Sequence, residues 1–258
     1  MCKTAVINLD DEYSDRFINE CGCKVITYSI KDSTADFFAS NIKYNPDGVS
    51  YDLSGMNKKM AVKVCIPGSF TVYNSMTAGV AMMACGFEFD KVVPLISTVE
   101  GVKGRVEVVP GGKDYTMIID YAHTPDELEN VIKMLNQIKS GRMVTLFGCG
   151  GDRDRTKRPI MGKIAAQLSD FVIVTSDNPR SENPTEIIED ILAGMCDIDT
   201  PYIVIENRAE AIKYAVQHAR ENDIVLFAGK GHETYQILNS GTVHFDEREI
   251  IAKALENN

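Results

Sequence analysis

Asp177-Asn178-Pro179-Arg180 directly follows the apolar, β-branched run Phe171–Thr175, which has the composition of a fully buried parallel strand. Ligands of open α/β sheets bind at loops that leave the carboxyl ends of such strands. Pro179 stiffens this loop, and Arg180 presents a planar fork of donors suited to a carboxylate or phosphate. Alone, the tetrapeptide is ordinary turn chemistry. Its weight comes from four further polar loops in equivalent places: Asp120-Tyr121-Ala122-His123, Gly148-Cys-Gly-Gly-Asp-Arg153, Glu206-Asn207-Arg208 and Gly229-Lys230-Gly231-His232-Glu233. In a parallel sheet these loops share one edge and can converge on one ligand. The Glu206–Arg208 loop is the least specific and reads as structural. Basic residues concentrate in Arg153-Asp-Arg155-Thr-Lys157-Arg158, which suggests a local anion site.

The elements that must position these loops are legible in the second half of the chain. Buried strands are expected at Thr116–Ile119, Met143–Phe147, Phe171–Thr175, Tyr202–Ile205 and Ile224–Ala228, with apolar residues recurring at helical spacing between them. Thr124-Pro125-Asp126-Glu127 and Asn183-Pro184-Thr185-Glu186 mark helix starts, each with a capping residue, a first-turn proline and a glutamate at the third position. This alternation is that of a doubly wound α/β sheet, and Tyr235–Phe245 reads as a closing hairpin. The first hundred residues differ. A strand (Ala5–Asn8), a helix and a second strand (Lys24–Tyr28) precede strand-like segments around Ala35–Asn41, Gly48–Leu53 and Met60–Cys65, then a helix near Val72–Cys85. The opening strand–helix pair lacks obvious parallel partners and resembles the tail of a longer domain. Gly101–Gly104 and Pro110–Gly112 bracket the expected junction.

Composition removes several classes of function. With 44% apolar and 25% charged residues in 258, the chain has the make-up of a globular protein. A net charge of −10 without a basic stripe argues against nucleic-acid binding. The apolar stretches are shorter than the roughly 20 residues a membrane helix needs, so no membrane partner is expected. Seven cysteines, an odd number, fit the reduced thiols of a cytoplasmic protein. Cys21-Gly-Cys23 lacks a second Cys/His pair to complete a metal site, and no other zinc-ligand spacing occurs. Gly148-Cys-Gly-Gly has the wrong spacing for a dinucleotide fingerprint, and neither a P-loop nor a nucleophile elbow is present.

Seven motifs in order resemble the Mur ligases, ATP-dependent amide-bond formers of peptidoglycan synthesis, over essentially the whole chain. They are Ala5-Val-Ile-Asn8-Leu-Asp10-Asp11-Glu12, Pro67-Gly-Ser-Phe-Thr-Val-Tyr-Asn74, Gly101-Val-Lys-Gly-Arg105-Val-Glu107, Asp120-Tyr-Ala-His-Thr-Pro125, Gly150-Gly-Asp-Arg153-Asp, Asp177–Arg180 and Gly229-Lys-Gly-His-Glu233. The resemblance implies the last part of a P-loop-type central ATPase domain (residues 1–103), then a Rossmann-like, amino-acid-binding third domain (104–258). The UDP-binding domain, the P-loop and the carbamylated lysine of the family would lie upstream, so the fragment alone is expected to be inactive.

The activity implied is that of a cytoplasmic, monomeric acid–amino-acid ligase using ATP and Mg2+. Within the family the resemblance is to members that add meso-diaminopimelate to UDP-N-acetylmuramoyl-L-alanyl-D-glutamate through an acyl phosphate. Asn74 would contact adenine, Arg105 the nucleotide phosphates and Asp120 the ribose, with Tyr121 and His123 beside the nucleotide; Arg105 and His123 are the expected catalytic residues. No metal ligand is assigned among these residues. For diaminopimelate, Arg153 and Arg180 would grip carboxylates, Asp177 and Glu233 would accept from ammonium, and Asn178, Pro179 and Gly229 would complete the pocket. A lysine-adding ligase, a ligase outside wall synthesis such as a folylpolyglutamate synthetase, and a non-catalytic amino-acid-binding module are the alternatives. Family members that use lysine carry a different turn here, and lysine would leave Arg180 desolvated and unpaired.

Overall fold

The computed structural model describes residues 2–111 and 114–256; Gly112, at the end of the expected junction, lies outside them. The chain divides into two compact units, residues 1–100 and 101–258. Among the described residues, no helix is long and apolar enough to cross a membrane.

The first unit carries a sheet in sequential order, β1 (Thr4–Asn8), β2 (Lys24–Ser29), β3 (Phe37–Asn45), β4 (Gly48–Gly55) and β5 (Lys58–Val64), with α1 (Ser14–Glu20) between the first two strands. The opening strand does find parallel partners: Thr4–Asn8 pairs with Lys24–Tyr28, and β2 pairs in parallel with β3. The expectation that the chain lacks them is therefore corrected. Strand β3 was recognised, but its sequence did not reveal that it joins a parallel edge to an antiparallel meander through β4 and β5. Helices α2 (Ser69–Ala84) and α3 (Phe89–Ile96) close the core, with Val72, Met76 and Val80 packed among Leu53, Val62, Val92 and Val93. Sequence reading missed α3, a two-turn helix with Pro94 inside it.

The second unit is a six-stranded sheet with five parallel strands. In chain order its elements are β6 (Glu107–Val109), β7 (Thr116–Asp120), α4 (Pro125–Asn136), β8 (Met143–Phe147), α5 (Lys157–Leu168), β9 (Phe171–Val174), α6 (Pro184–Leu192), β10 (Tyr202–Val204), α7 (Arg208–His218) and β11 (Ile224–Ala228). The hairpin β12 (Tyr235–Leu238) and β13 (Gly241–His244) follows, then α8 (Glu247–Glu256). The spatial order is β10-β9-β8-β11-β7-β6, with β6 antiparallel to β7. Strand residues alternate between the two faces. Ile118 and Leu226 pack with α4, α5 and α6, whereas Met117, Ile119, Val225 and Phe227 pack with α7 and α8. Strands clad on both faces need continuous apolar sequence, which is why the run Met117–Ile119 and all of Ile224–Ala228 are buried.

The chain runs outward from β8 to β9 and β10, then returns to insert β11 between β8 and β7. That reversal opens a crevice at the carboxyl ends of β8 and β11, the position where such sheets hold ligands.

Candidate active site

A cavity of about 540 Å³ occupies this crevice, and Tyr121, His123, Arg153, Asp177, Asn178, Arg180, Gly229 and Glu233 all line it. Four loops expected to converge do so, each delivered by the end of a parallel strand. The fifth does not line it. Arg208 is buried and paired with Glu247, so the Glu206–Arg208 loop is structural, as its lack of specificity suggested.

The Asp177–Arg180 loop is shaped by contacts to distant chain. Arg180 has φ of 54°, a left-handed conformation costly for a residue with a Cβ. It is held there because its amide donates to Ile237 O at 3.1 Å and its Nη1 donates to Gly151 O at 2.7 Å. Ile237 N donates in turn to Asn178 Oδ1 at 3.0 Å, and Gln236 Nε2 to Asp177 O at 2.6 Å. The β12 strand thus grips the loop at three points. Pro179 lies behind the lining, buried, where its carbonyl accepts from Glu182 N. Glycine is required opposite. A Cβ on Gly150 would stand 2.8 Å from Arg180 Nη1, and one on Gly151 only 2.0 Å from Pro179 O.

The cavity mixes both signs of charge. Arg153 spends Nη1 on Asp152 O at 2.9 Å, and Arg180 spends Nη1 on loop carbonyls. The remaining donors of both guanidiniums make no hydrogen bond among the described residues. On the acidic side, Asp177 Oδ1 is buried and accepts no hydrogen bond. Glu233 Oε2 accepts from Asn178 Nδ2 and from Lys230 Nζ, each at 2.9 Å, which leaves Oε1 as an available acceptor. Gly229, at φ 114°, brings backbone against Asp177, and a Cβ there would stand 2.9 Å from Asp177 Oδ2.

The basic island behaves differently from expectation. Arg158 is fully buried, with Nη1 and Nη2 donating to Glu182 at 2.9 and 2.8 Å and Nη1 to Asp190 at 2.9 Å; Arg155 also pairs with Asp190. Those two arginines build the loop, while Arg153 and Lys157 remain on the cavity wall. Alternating charge in sequence could not separate the pair that is neutralised internally from the pair that lines the cavity.

At the other end, Tyr121 is flanked by one guanidinium and two imidazoles. Its ring centroid lies 4.7 Å from His123, 5.0 Å from His232 and 5.2 Å from the Arg105 guanidinium. His123 Nδ1 faces Tyr121 O at 2.9 Å and Glu127 Oε2 at 3.2 Å. Both neighbours of Nδ1 are oxygen acceptors, so this nitrogen is the ring's donor to the protein, and Nε2 makes no hydrogen bond among the described residues. Glu127 also receives the amides of His123 and Thr124 as part of the expected capping box. Burial pushes its carboxyl up, but those donors and the His123 ring outweigh burial and hold it below the ordinary carboxylate range.

Asp120 is buried with Oδ2 accepting from Val106 N and Oδ1 from Ala122 N, each at 2.8 Å. Desolvation dominates and raises its carboxyl above the ordinary value despite those two donors. Asp120 and Arg105 flank the cavity without lining it. Asn74 belongs to α2 of the first unit, where it lines a mostly apolar slot of about 180 Å³ with Phe70, Ile96 and Val99. Residues missed by sequence reading are Thr156 and Ile160 on the cavity wall, His232 against Tyr121, and the buried Lys230, whereas Lys157, part of the basic island, does line the cavity.

Known proteins share this fold and this order of domains. The Mur ligase middle-domain model matches residues 1–82, and the Mur ligase glutamate ligase domain model matches residues 104–231. The chain is 46% identical over 253 residues to the UDP-N-acetylmuramoyl-L-alanyl-D-glutamate--2,6-diaminopimelate ligase of Caldanaerobacter subterraneus, covering 98% of this chain and 52% of that protein. It is 44% identical over 256 residues to the ligase of the same name, number 1, of Clostridium acetobutylicum, again covering 98% and 52%. A solved structure titled as a UDP-N-acetylmuramoyl-L-alanyl-D-glutamate--2,6-diaminopimelate ligase superposes with a TM-score of 0.80 at 37% identity, covering 99% of this chain and 53% of that one. The chain thus spans about half the length of the relatives it matches. With both domain models matched in order and the fold shared over nearly every residue, the chain belongs to the Mur ligase family.

Proposed function

We propose that the protein serves in the ATP-dependent addition of meso-diaminopimelate to UDP-N-acetylmuramoyl-L-alanyl-D-glutamate. Residues 1–103 would be the closing part of the central ATPase domain and residues 104–258 the amino-acid-binding domain. The observation that carries this reading is the paired polarity of the crevice. Two guanidiniums with unused donors and two carboxylates with unused acceptors line one cavity of about 540 Å³. Diaminopimelate presents a carboxylate and an ammonium at each end, and few other metabolites match that pattern. Its carboxylates would bind at Arg153 and Arg180, and its ammonium groups at the Asp177 and Glu233 carboxylates. Asn178 Nδ2 and the Gly229 backbone would complete the hydrogen bonds, with Pro179 holding the turn.

In the ligation, the terminal carboxylate of the UDP-linked acceptor takes the γ-phosphoryl group of ATP, releasing ADP, and the neutral amine then attacks the acyl phosphate, losing a proton and expelling inorganic phosphate as the amide forms. Such chemistry depends on placing the amine and stabilising phosphate charge. Arg105, held over Tyr121, would meet the phosphates, His123 would present Nε2 beside them, Asp120 would reach the ribose and Asn74 the adenine. Magnesium generally accompanies ATP in this chemistry. Among the described residues, no grouping of three or more His, Cys, Asp or Glu side chains suits a metal ion.

Titration calorimetry of the chain with meso-diaminopimelate and with L-lysine tests the reading. Diaminopimelate should bind more tightly, and R180A should lower its affinity tenfold or more, roughly the value of one charge-assisted hydrogen bond. Equal affinity for the two amino acids would remove the basis of the proposal.

A further inference from the structure

Lys230 is fully buried yet carries a charge into the floor of the crevice. Its Nζ donates to Glu233 Oε2 at 2.9 Å and to Asn178 Oδ1 at 3.0 Å, and stands 3.6 Å from Asp177 Oδ1. Tyr235 and Phe245 present their rings to the ammonium at 5.8 and 5.7 Å. Lys230 does not line the cavity, and with no exposed surface it cannot touch a ligand there.

Three consequences follow from those bonds. Asn178 Oδ1 takes both Lys230 Nζ and Ile237 N, so its amide cannot flip and Nδ2 must point to Glu233. Glu233 is held through Oε2, which accepts from Asn178 Nδ2 and Lys230 Nζ, and Oε1 is left without a hydrogen bond among the described residues. The third effect is electrostatic: one buried cation offsets part of the charge of Asp177 and Glu233. Without it, the acidic pole would attract any cation and repel a ligand carboxylate.

We propose that Lys230 is a positioning and specificity-determining residue that tunes the crevice to a zwitterionic head in preference to a bare ammonium. This rests on the amino-acid-binding role proposed above and adds a residue that acts without contact. A purely structural lysine would, when removed, weaken every ligand alike. A charge-setting lysine would change the preference between ligands, because lysine presents a distal ammonium alone whereas diaminopimelate presents an ammonium beside a carboxylate.

The experiment is calorimetry of the wild-type chain and K230M with meso-diaminopimelate and L-lysine. In K230M the ratio of diaminopimelate to lysine affinity should fall roughly tenfold or more, as expected when a unit charge within about 6 Å of the ligand's charges is removed from a protein interior. Equal proportional loss for both ligands, or no loss, overturns the proposal. Wild-type protein that fails to prefer diaminopimelate instead defeats the functional reading, and does so before any substitution is made. Should K230M not fold by circular dichroism, K230Q, which keeps a polar side chain at the buried position, supplies the decision: the same fall in the ratio of diaminopimelate to lysine affinity is expected, and equal loss for both ligands overturns the proposal.

Discussion

Arg208 and Glu247 start helices α7 and α8, and both side chains are wholly buried. Arg208 Nε and Nη2 reach Glu247 Oε1 at 2.9 and 2.8 Å, and Nη2 also donates to Ala228 O at 2.8 Å, the last carbonyl of β11 before the Gly229 turn. Arg208 Nη1 and Glu247 Oε2 have no hydrogen-bond partner, so the pair is imperfectly satisfied. Removing one member of a buried pair typically costs about 3–5 kcal/mol, because the other charge is stranded. R208M should therefore destabilise the second unit by about 3–5 kcal/mol at neutral pH, the Ala228 carbonyl adding to the loss. Burial holds the Glu247 carboxyl above its ordinary value even with Arg208 beside it. A raised carboxyl contributes stability that is present at low pH and lost as pH rises through its folded value. Without Arg208 that rise is steeper, so the R208M penalty should shrink toward pH 5 and grow toward pH 8. The double variant R208M/E247L replaces the pair with apolar groups and should recover most of the loss, to within about 1–2 kcal/mol of wild type. Amide hydrogen exchange along β11 measures this, since its core amides open only when the second unit unfolds. An R208M cost under about 1 kcal/mol, or a double variant as unstable as the sum of the singles, refutes the account.

Other expectations are simpler. Burial pushes the Cys149 thiol up to about 12, so Cys149 should resist a thiol reagent at pH 8 while the exposed Cys2, Cys65, Cys85 and Cys196 react; labelling followed by peptide mass analysis reads this. Burial also pushes the Glu107 carboxyl up, but the Arg248 guanidinium and the Gly104 amide outweigh it and hold the carboxyl below the ordinary range. Its stabilisation is present above the ordinary carboxylate value and lost on acidification, so E107Q should show a shallower loss of stability than wild type between about pH 5 and pH 3 in urea titrations. G229A would force a Cβ at φ 114° to within 2.9 Å of Asp177 Oδ2. It should abolish measurable diaminopimelate binding in calorimetry while leaving the far-ultraviolet circular dichroism unchanged.

The sheet of the second unit could be read from sequence because its strands are buried on both faces. Ile224–Ala228 and Met143–Phe147 admit hardly any polar residue. The rim loops were legible for the complementary reason: they end those runs abruptly in charge and glycine. Short elements were not. Helix α3 and strand β6 are too brief for a period to emerge, and β6 takes its place by antiparallel pairing with β7. Individual roles were least visible. Arg153, Arg155 and Arg158 look equivalent in sequence, yet Glu182 and Asp190, some thirty residues away, neutralise two of them. Likewise Lys230 sits among glycines like a surface turn lysine, and only the approach of Asn178 and Glu233 shows it buried.

The grip of β12 on the Asp177–Arg180 loop also orders events during synthesis. Ile237 supplies the donor and acceptor that hold Asn178 and Arg180, and it leaves the ribosome about sixty residues after them. The parallel strands can assemble as soon as β11 has emerged, but until the hairpin arrives the arginine keeps only its side-chain bonds to loop carbonyls and lacks the backbone bond to Ile237. A nascent chain halted after Ala228 would thus own a complete parallel sheet and an unfinished recognition loop.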